Sequence, residues 1–266
     1  MAIDYPRVLV IAGSDSSGGA GIQADIKTVT MLGGFATTAI TAVTAQNTTG
    51  VQGVEILPDR FVAQQIESVL TDIGADSVKI GMLGSEDIVS AVADALAGLD
   101  REVPIVLDPV MVATSGSTLA SDPTVTAMKG QLFSKATLLT PNVPELTALT
   151  GHEIASVRDL HDAALELARE YGVLVVAKGG HLAGDTVTDL LVEADGSSLR
   201  YDHRRIDSRH THGTGCTLAS AIATLLGRGQ TPADAVSIAR KFVYRAIEAA
   251  PAFGAGGGPM RHNFGR

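Results

Sequence analysis

The chain has 266 residues, 45% of them hydrophobic, with 29 acidic against 20 basic side chains and a formal charge of −9. That length and apolar content support a sizeable core and exclude a disordered chain. The acidic balance, with no lysine–arginine stripe, excludes broad nucleic-acid binding, and a single cysteine excludes an intrachain disulfide and fits a reducing compartment.

Met1–Arg7 carries no basic region or cleavage site, and no apolar run is long enough to span a membrane. The expected location is the cytoplasm. Arg7–Ala12 is a short apolar run ending at Gly13 and predicts a buried strand. Gly21–Leu32 repeats Ile22, Ile26, Val29 and Leu32 at helical spacing. Phe35–Thr44 is β-branched and predicts a second strand, with Val51–Leu57 as another. Asp59–Ile73 predicts a helix with Asp59 as N-cap. Strand Ser77–Ile80, helix Ser85–Leu96 and strands Ile105–Leu107 and Thr137–Leu139 follow. Helices are expected near Glu145–Thr150 and over Ser156–Tyr171, then strand Val173–Ala177. Thr188–Glu193 and Ser198–Tyr201, joined through Ala194-Asp195-Gly196, predict a hairpin. Helices Thr217–Leu226 and Thr231–Ala249 close the series.

Strands alternating with helices imply an α/β fold with a mostly parallel sheet, helices on both faces and an antiparallel edge from the hairpin. No linker or repeat divides the chain, so residues 1–266 read as one domain. The glycine-rich tail, Gly254–Pro259, is either flexible or folds over a site. In such sheets ligands lie beyond the carboxyl ends of the strands. The unusual residues of this chain fall there.

Gly213-Thr214-Gly215-Cys216 stands where a helix begins. Unpaired N–H groups and the helix dipole attract an anion there, and a thiol so placed is expected to have a lowered pKa. The alternative is an inert buried cysteine. Gly13–Gly21 is rich in small residues that let a ligand approach backbone N–H groups. Its Gly19-Ala20-Gly21-Ile22-Gln23-Ala24 nominally matches a dinucleotide fingerprint, but no acidic residue lies about 20 positions on to hold a ribose. A flexible turn is the alternative to a ligand-binding loop.

Gln46 offers a donor and an acceptor side by side, which suits an aminopyrimidine edge; a solvated loop glutamine is the alternative. Met82, Val110 and Met111, after predicted strands and beside Asp108, would make an apolar wall for a flat ring or simply core. Asn142 and Glu145, three apart at a helix start, suit Mg²⁺ with water and phosphate, or an N-cap with a first-turn glutamate. Lys178, beside Gly179 and Gly180, would reach a phosphate or lie in solvent. His210, His212 and Cys216 nominally form a zinc set that lacks a clear fourth ligand.

Seven segments carry a resemblance: AGSDSSGGAGIQADIKT (Ala12–Thr28), ITAVTAQNTTGV (Ile40–Val51), KIGML (Lys79–Leu83), LDPVM (Leu107–Met111), TPNVPE (Thr140–Glu145), KGGHL (Lys178–Leu182) and THGTGCTL (Thr211–Leu218). In this order the chain resembles the ribokinase-like superfamily, and within it the hydroxymethylpyrimidine/phosphomethylpyrimidine kinases of thiamine biosynthesis. The resemblance implies a three-layer ribokinase-like sandwich. It implies ATP-dependent phosphorylation of 4-amino-5-hydroxymethyl-2-methylpyrimidine to the monophosphate and then the diphosphate. Pyridoxal kinase of the same superfamily is the alternative. By motif, Gln46, Gly13, Asp25, Met82 and Val110 would surround the pyrimidine. Lys178, Asn142, Asp108 and Lys241 would serve the nucleotide, with Arg240 as the rival of Lys241. Glu145 and Asn142 would hold Mg²⁺. Gly213, Thr214 and Gly215 would cradle the transferred phosphoryl, with Cys216 as proton acceptor. Relatives of this kind imply a homodimer.

Overall fold

The computed structural model describes residues 3–100, 102–111 and 119–265. Its elements in chain order are β1 (Arg7–Asp15), α1 (Gly21–Met31), β2 (Phe35–Asn47), β3 (Gly50–Ile56), α2 (Asp59–Asp72), β4 (Ser77–Ile80), α3 (Glu86–Ala95), β5 (Ile105–Leu107) and α4 (Asp122–Gln131). A 3₁₀ turn at Phe133–Lys135 leads to β6 (Leu138–Leu139), α5 (Val143–Thr150), α6 (Val157–Tyr171), β7 (Leu174–Lys178), β8 (Thr186–Val192), β9 (Ser198–Arg204), α7 (Thr214–Gly227) and α8 (Pro232–Glu248).

The strands form one sheet in the order β3-β2-β1-β4-β5-β6-β7-β8-β9. The run from β2 through β7 is parallel. The expected hairpin, β8–β9, closes one edge antiparallel, and β3 adds a second antiparallel edge beside β2. Side-chain alternation splits the core. Val8, Val10 and Ala12 of β1 pack towards α1, α7 and α8, while Leu9 and Ile11 pack towards the helices of the other face. Three layers result. The chain leaves β1 for β2 on one side and returns to β4 on the other. The crevice beyond the carboxyl ends of β1 and β4 is therefore the switch point where ligands bind in open α/β sheets.

Several boundaries differ from expectation for local reasons. Helix α4 was not expected, because its threonines and valine blur the apolar stripe; the Ser121 hydroxyl caps it by accepting from the Thr124 N–H. Asp59 lies in the first turn of α2, and Pro58 takes the N-cap place. β2 runs on to Asn47, so Gln46 belongs to the strand. The register shifts between Ala45 and Gln46 in the β2–β3 pair, and between Ala12 and Ser14 in the β1–β2 pair. Such bulges re-aim side chains at a sheet's rim. The tail folds over the site. Gly256 N–H donates to Thr48 Oγ1 at 3.3 Å, and His212 N–H donates to the Gly258 carbonyl at 3.2 Å. Among the described residues no helix is long and apolar enough to cross a membrane.

Candidate active site

A cleft of about 1110 Å³ opens at the carboxyl ends of the strands. It brings together Gly13, Gln46, Met82, Asp108, Val110, Asn142, Glu145, Lys178 and Gly213–Cys216 from the predicted set. These residues come from separate strand ends and from the starts of α5 and α7, and only the tertiary fold unites them.

One wall is the start of α7. Gly213 is its N-cap with φ 84°, in the left-handed region that favours glycine. A Cβ there would drive into the carbonyl oxygen of Gly19. Thr214, Gly215 and Cys216 are the first three helical residues, whose N–H groups have no partner within the helix. A Cβ on Gly215 would come within 3.3 Å of both Asp108 Oδ2 and Lys178 Nζ. The bare glycine keeps open the gap between the helix start and that ion pair.

The ion pair is the opposite wall. Lys178 Nζ lies 2.8 Å from Asp108 Oδ1 and 3.8 Å from Glu145 Oε2. Thr140 Oγ1 donates to Asp108 Oδ1 at 2.7 Å. Burial alone would lower the Lys178 pKa, but the two carboxylates outweigh it and keep the ammonium charged. Asn142 caps α5 and forms a capping box with Glu145: the Glu145 N–H donates to Asn142 Oδ1 and the Asn142 N–H to Glu145 Oε2. Burial pushes the Glu145 carboxyl up to about 7, against Lys178, which draws it down, and with Asp108, which adds to the rise. This carboxyl lacks a full counter-charge.

Cys216 departs from expectation. Burial is the largest influence on its thiol and, with Asp25 and Asp108, raises the pKa to about 11; Lys79 and the Gly21 backbone pull the other way. The half-buried thiol lines the cleft, and the direction of this shift runs against a resident thiolate.

Two other expectations are relocated. Asp25 is fully buried beneath the cleft floor, bonded to Lys79 Nζ at 2.8 Å and Ser220 Oγ at 2.6 Å, and forms no part of the cleft wall. Lys241 is exposed on α8 and does not line the cleft. Its neighbour Arg240 does, clamped by Asp189 at 2.6 Å and facing His203 Nδ1 at 2.6 Å. The turn of α8 decides between them.

The far end is the ring-sized part. Gln46, Met82 and Val110 face it, with Met82 Sδ packed over Gly13. Here lies a pair not anticipated from the sequence. His212 Nε2 is 2.8 Å from Asp15 Oδ2, and both residues are buried. Burial would raise Asp15, but hydrogen bonds from His212, Ser17 and Ala20 prevail and hold it at about 2. An acid in a glycine-rich loop and a histidine before a helix start, 197 positions apart, give no local sign of meeting.

A family model for phosphomethylpyrimidine kinase matches residues 15–261. The hydroxymethylpyrimidine/phosphomethylpyrimidine kinase of Streptomyces coelicolor is 46% identical over 260 residues, covering 97% of this chain and 95% of its own. The thiamine biosynthesis bifunctional protein ThiED of Geobacter sulfurreducens is 47% identical over 97% of this chain, which spans 53% of that longer protein. Among solved structures, the pyridoxal kinase of Staphylococcus aureus in complex with AMP-PCP and pyridoxal aligns with a TM-score of 0.88 at 34% identity. That alignment covers 97% of this chain and 93% of the other. The phosphomethylpyrimidine kinase of Clostridium difficile 630 aligns at 0.80 and 37% identity, covering 91% and 99%.

Fold and site together define a ribokinase-like small-molecule kinase. The agreement extends over nearly the whole chain. The chain belongs to the phosphomethylpyrimidine kinase family, whose curated relatives here are kinases of thiamine biosynthesis.

Proposed function

We propose that this chain transfers the γ-phosphoryl of ATP to the hydroxymethyl group of 4-amino-5-hydroxymethyl-2-methylpyrimidine, and a second phosphoryl to the monophosphate. One observation carries the reading: a single cleft joins an amide-and-thioether end at Gln46 and Met82 to a cationic end at Lys178, and the open helix start at Gly213–Cys216 lies between them. Lys178 neutralises charge on the transferring group, and the Gly215 and Cys216 N–H groups of α7 receive its equatorial oxygens, the Thr214 N–H being held by the Thr211 carbonyl. Arg240, held by Asp189, lines the nucleotide end.

The donor set suits a hard cation. Asn142 and Glu145 supply oxygen ligands, Glu145 lacks a full counter-charge, and the described residues hold no His/Cys/Asp/Glu cage of three or more. Mg²⁺ held by Asn142 and Glu145 would leave room for water and phosphate, and would supply charge neutralisation. The same reading places the enzyme in the cytoplasm, where its lone thiol stays reduced. A homodimer fits the exposed Val54 and Ile56, which share one face of edge strand β3.

The test is ADP release with hydroxymethylpyrimidine, its monophosphate and pyridoxal as parallel acceptors. Turnover with the first two is expected, and silence with all three sinks the kinase reading. With EDTA present, the contribution of Glu145 to wild-type stability should fall as pH rises from about 5 to about 7. The unfolded chain releases the Glu145 proton near its ordinary pKa, while the folded chain keeps it until about 7. Glu145→Gln preserves the capping-box acceptor, removes that loss, and is expected to be more stable than wild type at pH 8 by on the order of 2 kcal/mol. Urea melts at the two pH values check this, and equal pH slopes would count against it.

Cys216 acts as a neutral thiol that positions the alcohol, whose proton leaves late in a loose transition state. Cys216→Ala should slow the first transfer by about 10–100-fold and the second, whose nucleophile is already anionic, by less. Because Cys216 is the one cysteine, its alkylation rate reads its ionisation. The rate should climb without a plateau from pH 7 to 10, and a plateau near 7 would restore the thiolate base.

A further inference from the structure

Asp189 of β8 is a buried carboxylate directly opposite Lys178 in the β7–β8 register. Its two oxygens serve two different parts of the cleft. Oδ1 accepts the N–H of Gly179, the residue after Lys178, at 2.9 Å. Oδ2 accepts Arg240 Nε at 2.6 Å. Each end is held from a second direction. The Lys178 N–H donates to the Pro141 carbonyl at 2.9 Å, and a Cβ on Gly179 would drive into the Thr188 carbonyl oxygen. The backbone that carries Lys178 is thus gripped from β8 on one side and from the segment after β6 on the other. On α8, Arg240 Nη2 lies 2.6 Å from His203 Nδ1, and the guanidinium stands 5.4 Å over the Tyr201 ring. Arginine only donates, so His203 accepts as a neutral imidazole, the form that burial and the guanidinium both favour. With Nε and Nη2 engaged, Arg240 Nη1 has no hydrogen-bond partner among the described residues, and the residue lines the cleft.

We infer that Asp189 is a positioning residue with two tasks: it fixes the backbone that carries Lys178, and it aims Arg240 at the nucleotide. The inference rests on the reading above that places ATP at this end of the cleft. Asp189 itself takes no phosphate, because a carboxylate repels one and both of its oxygens are already spent. Its contribution is geometric. A displacement of about 1 Å in a group that must meet the reacting atoms can cost on the order of 10²-fold in rate. The Gly179 link acts on the cation that faces the transferring phosphoryl, so its loss belongs in kcat. The Arg240 link acts on the nucleotide already in the ground state, so its loss belongs in KM for ATP. One carboxylate thereby sets the spacing between the anchor of the nucleotide and the cation of the transfer step.

Double-mutant cycles separate the two links. Asp189→Leu should raise KM for ATP by about 10–100-fold and lower kcat by a similar factor, while KM for hydroxymethylpyrimidine stays within about threefold. In an Arg240→Met background the same substitution should add nothing to KM for ATP and still lower kcat. In a Lys178→Met background it should add almost nothing to the loss of kcat and still raise KM for ATP. Asp189→Asn keeps an oxygen for Gly179, since the Arg240 side chain can swing away from the new NH₂ and a backbone N–H cannot. It should raise KM for ATP while recovering most of kcat, and it carries the test where the leucine variant does not fold. Losses that add in both backgrounds would overturn the inference. So would KM for hydroxymethylpyrimidine rising as far as KM for ATP alongside a lowered Tm, which would leave Asp189 as a clamp of the fold alone. Arg240→Met with an unchanged KM for ATP would overturn the nucleotide reading and the second task with it. That failure is distinct, because Asp189→Leu would still lower kcat through Gly179.

Discussion

Lys178→Met is expected to lower kcat for both transfers by about 10²–10³-fold, the scale of removing one preorganised charge-stabilising group from a transition state. Lys178 is the cation that faces the α7 start across the bare Gly215, and no other ammonium or guanidinium group of the cleft lies as close to that glycine. The loss should appear in kcat more than in KM for ATP, because charge on the transferring group grows only as the reaction proceeds. Lys178→Arg should recover little. The ammonium is a point charge fitted 2.8 Å from Asp108 Oδ1, and a planar guanidinium needs more room than Gly215 leaves.

Removing this lysine also leaves Asp108 and Glu145 without their cation, so the fold itself will weaken. Lys178→Met with Glu145→Gln relieves that repulsion. Urea melts should show recovered stability in the double variant, and single-turnover kinetics should show no recovery of kcat. Recovery of both would mean that the lysine serves the fold and not the chemistry.

What the sequence displayed follows the range of the physics involved. Strand–helix alternation, the parallel sheet and the hairpin are local patterns, and they appear where expected. The open start of α7 was legible because glycine at φ 84° leaves a mark in one position. Lys178, Gln46 and Glu145 could be named because each stands beside a strand end. Distances across the fold were not legible. Arg240 rather than Lys241 reaches the cleft because of helical phase over α8. Asp25 of α1 lies under the floor because its partner Lys79 comes from β4, 54 positions away. The Cys216 thiol shifted opposite to expectation, since a helix start acts locally while burial beside Asp25 and Asp108 is a property of the packed whole. Asp15 and His212 meet only when β1 and α7 are side by side.

The buried pair under the floor carries the largest expected stability effect. Lys79 and Asp25 are both fully inaccessible, and with Ser220 they tie β4, α1 and α7 together beneath the cleft floor. Burial alone would strip Lys79 of its proton, but Asp25 outweighs it and holds the ammonium at about 12. Asp25→Ala leaves that charge unpaired and should destabilise the protein by about 3–5 kcal/mol. The cost depends on pH with a definite sign. Without its partner the folded-state pKa of Lys79 falls below the unfolded value, so stability is lost as pH drops through that interval. Urea melts of Asp25→Ala should therefore show a deficit that deepens from pH 9 to pH 6. Asp25→Leu combined with Lys79→Met removes both charges and should regain most of the loss, since an apolar pair of similar volume needs no desolvation. A deficit equal at both pH values, or a double variant as weak as the single, would show that packing by the Asp25 side chain matters more than its charge.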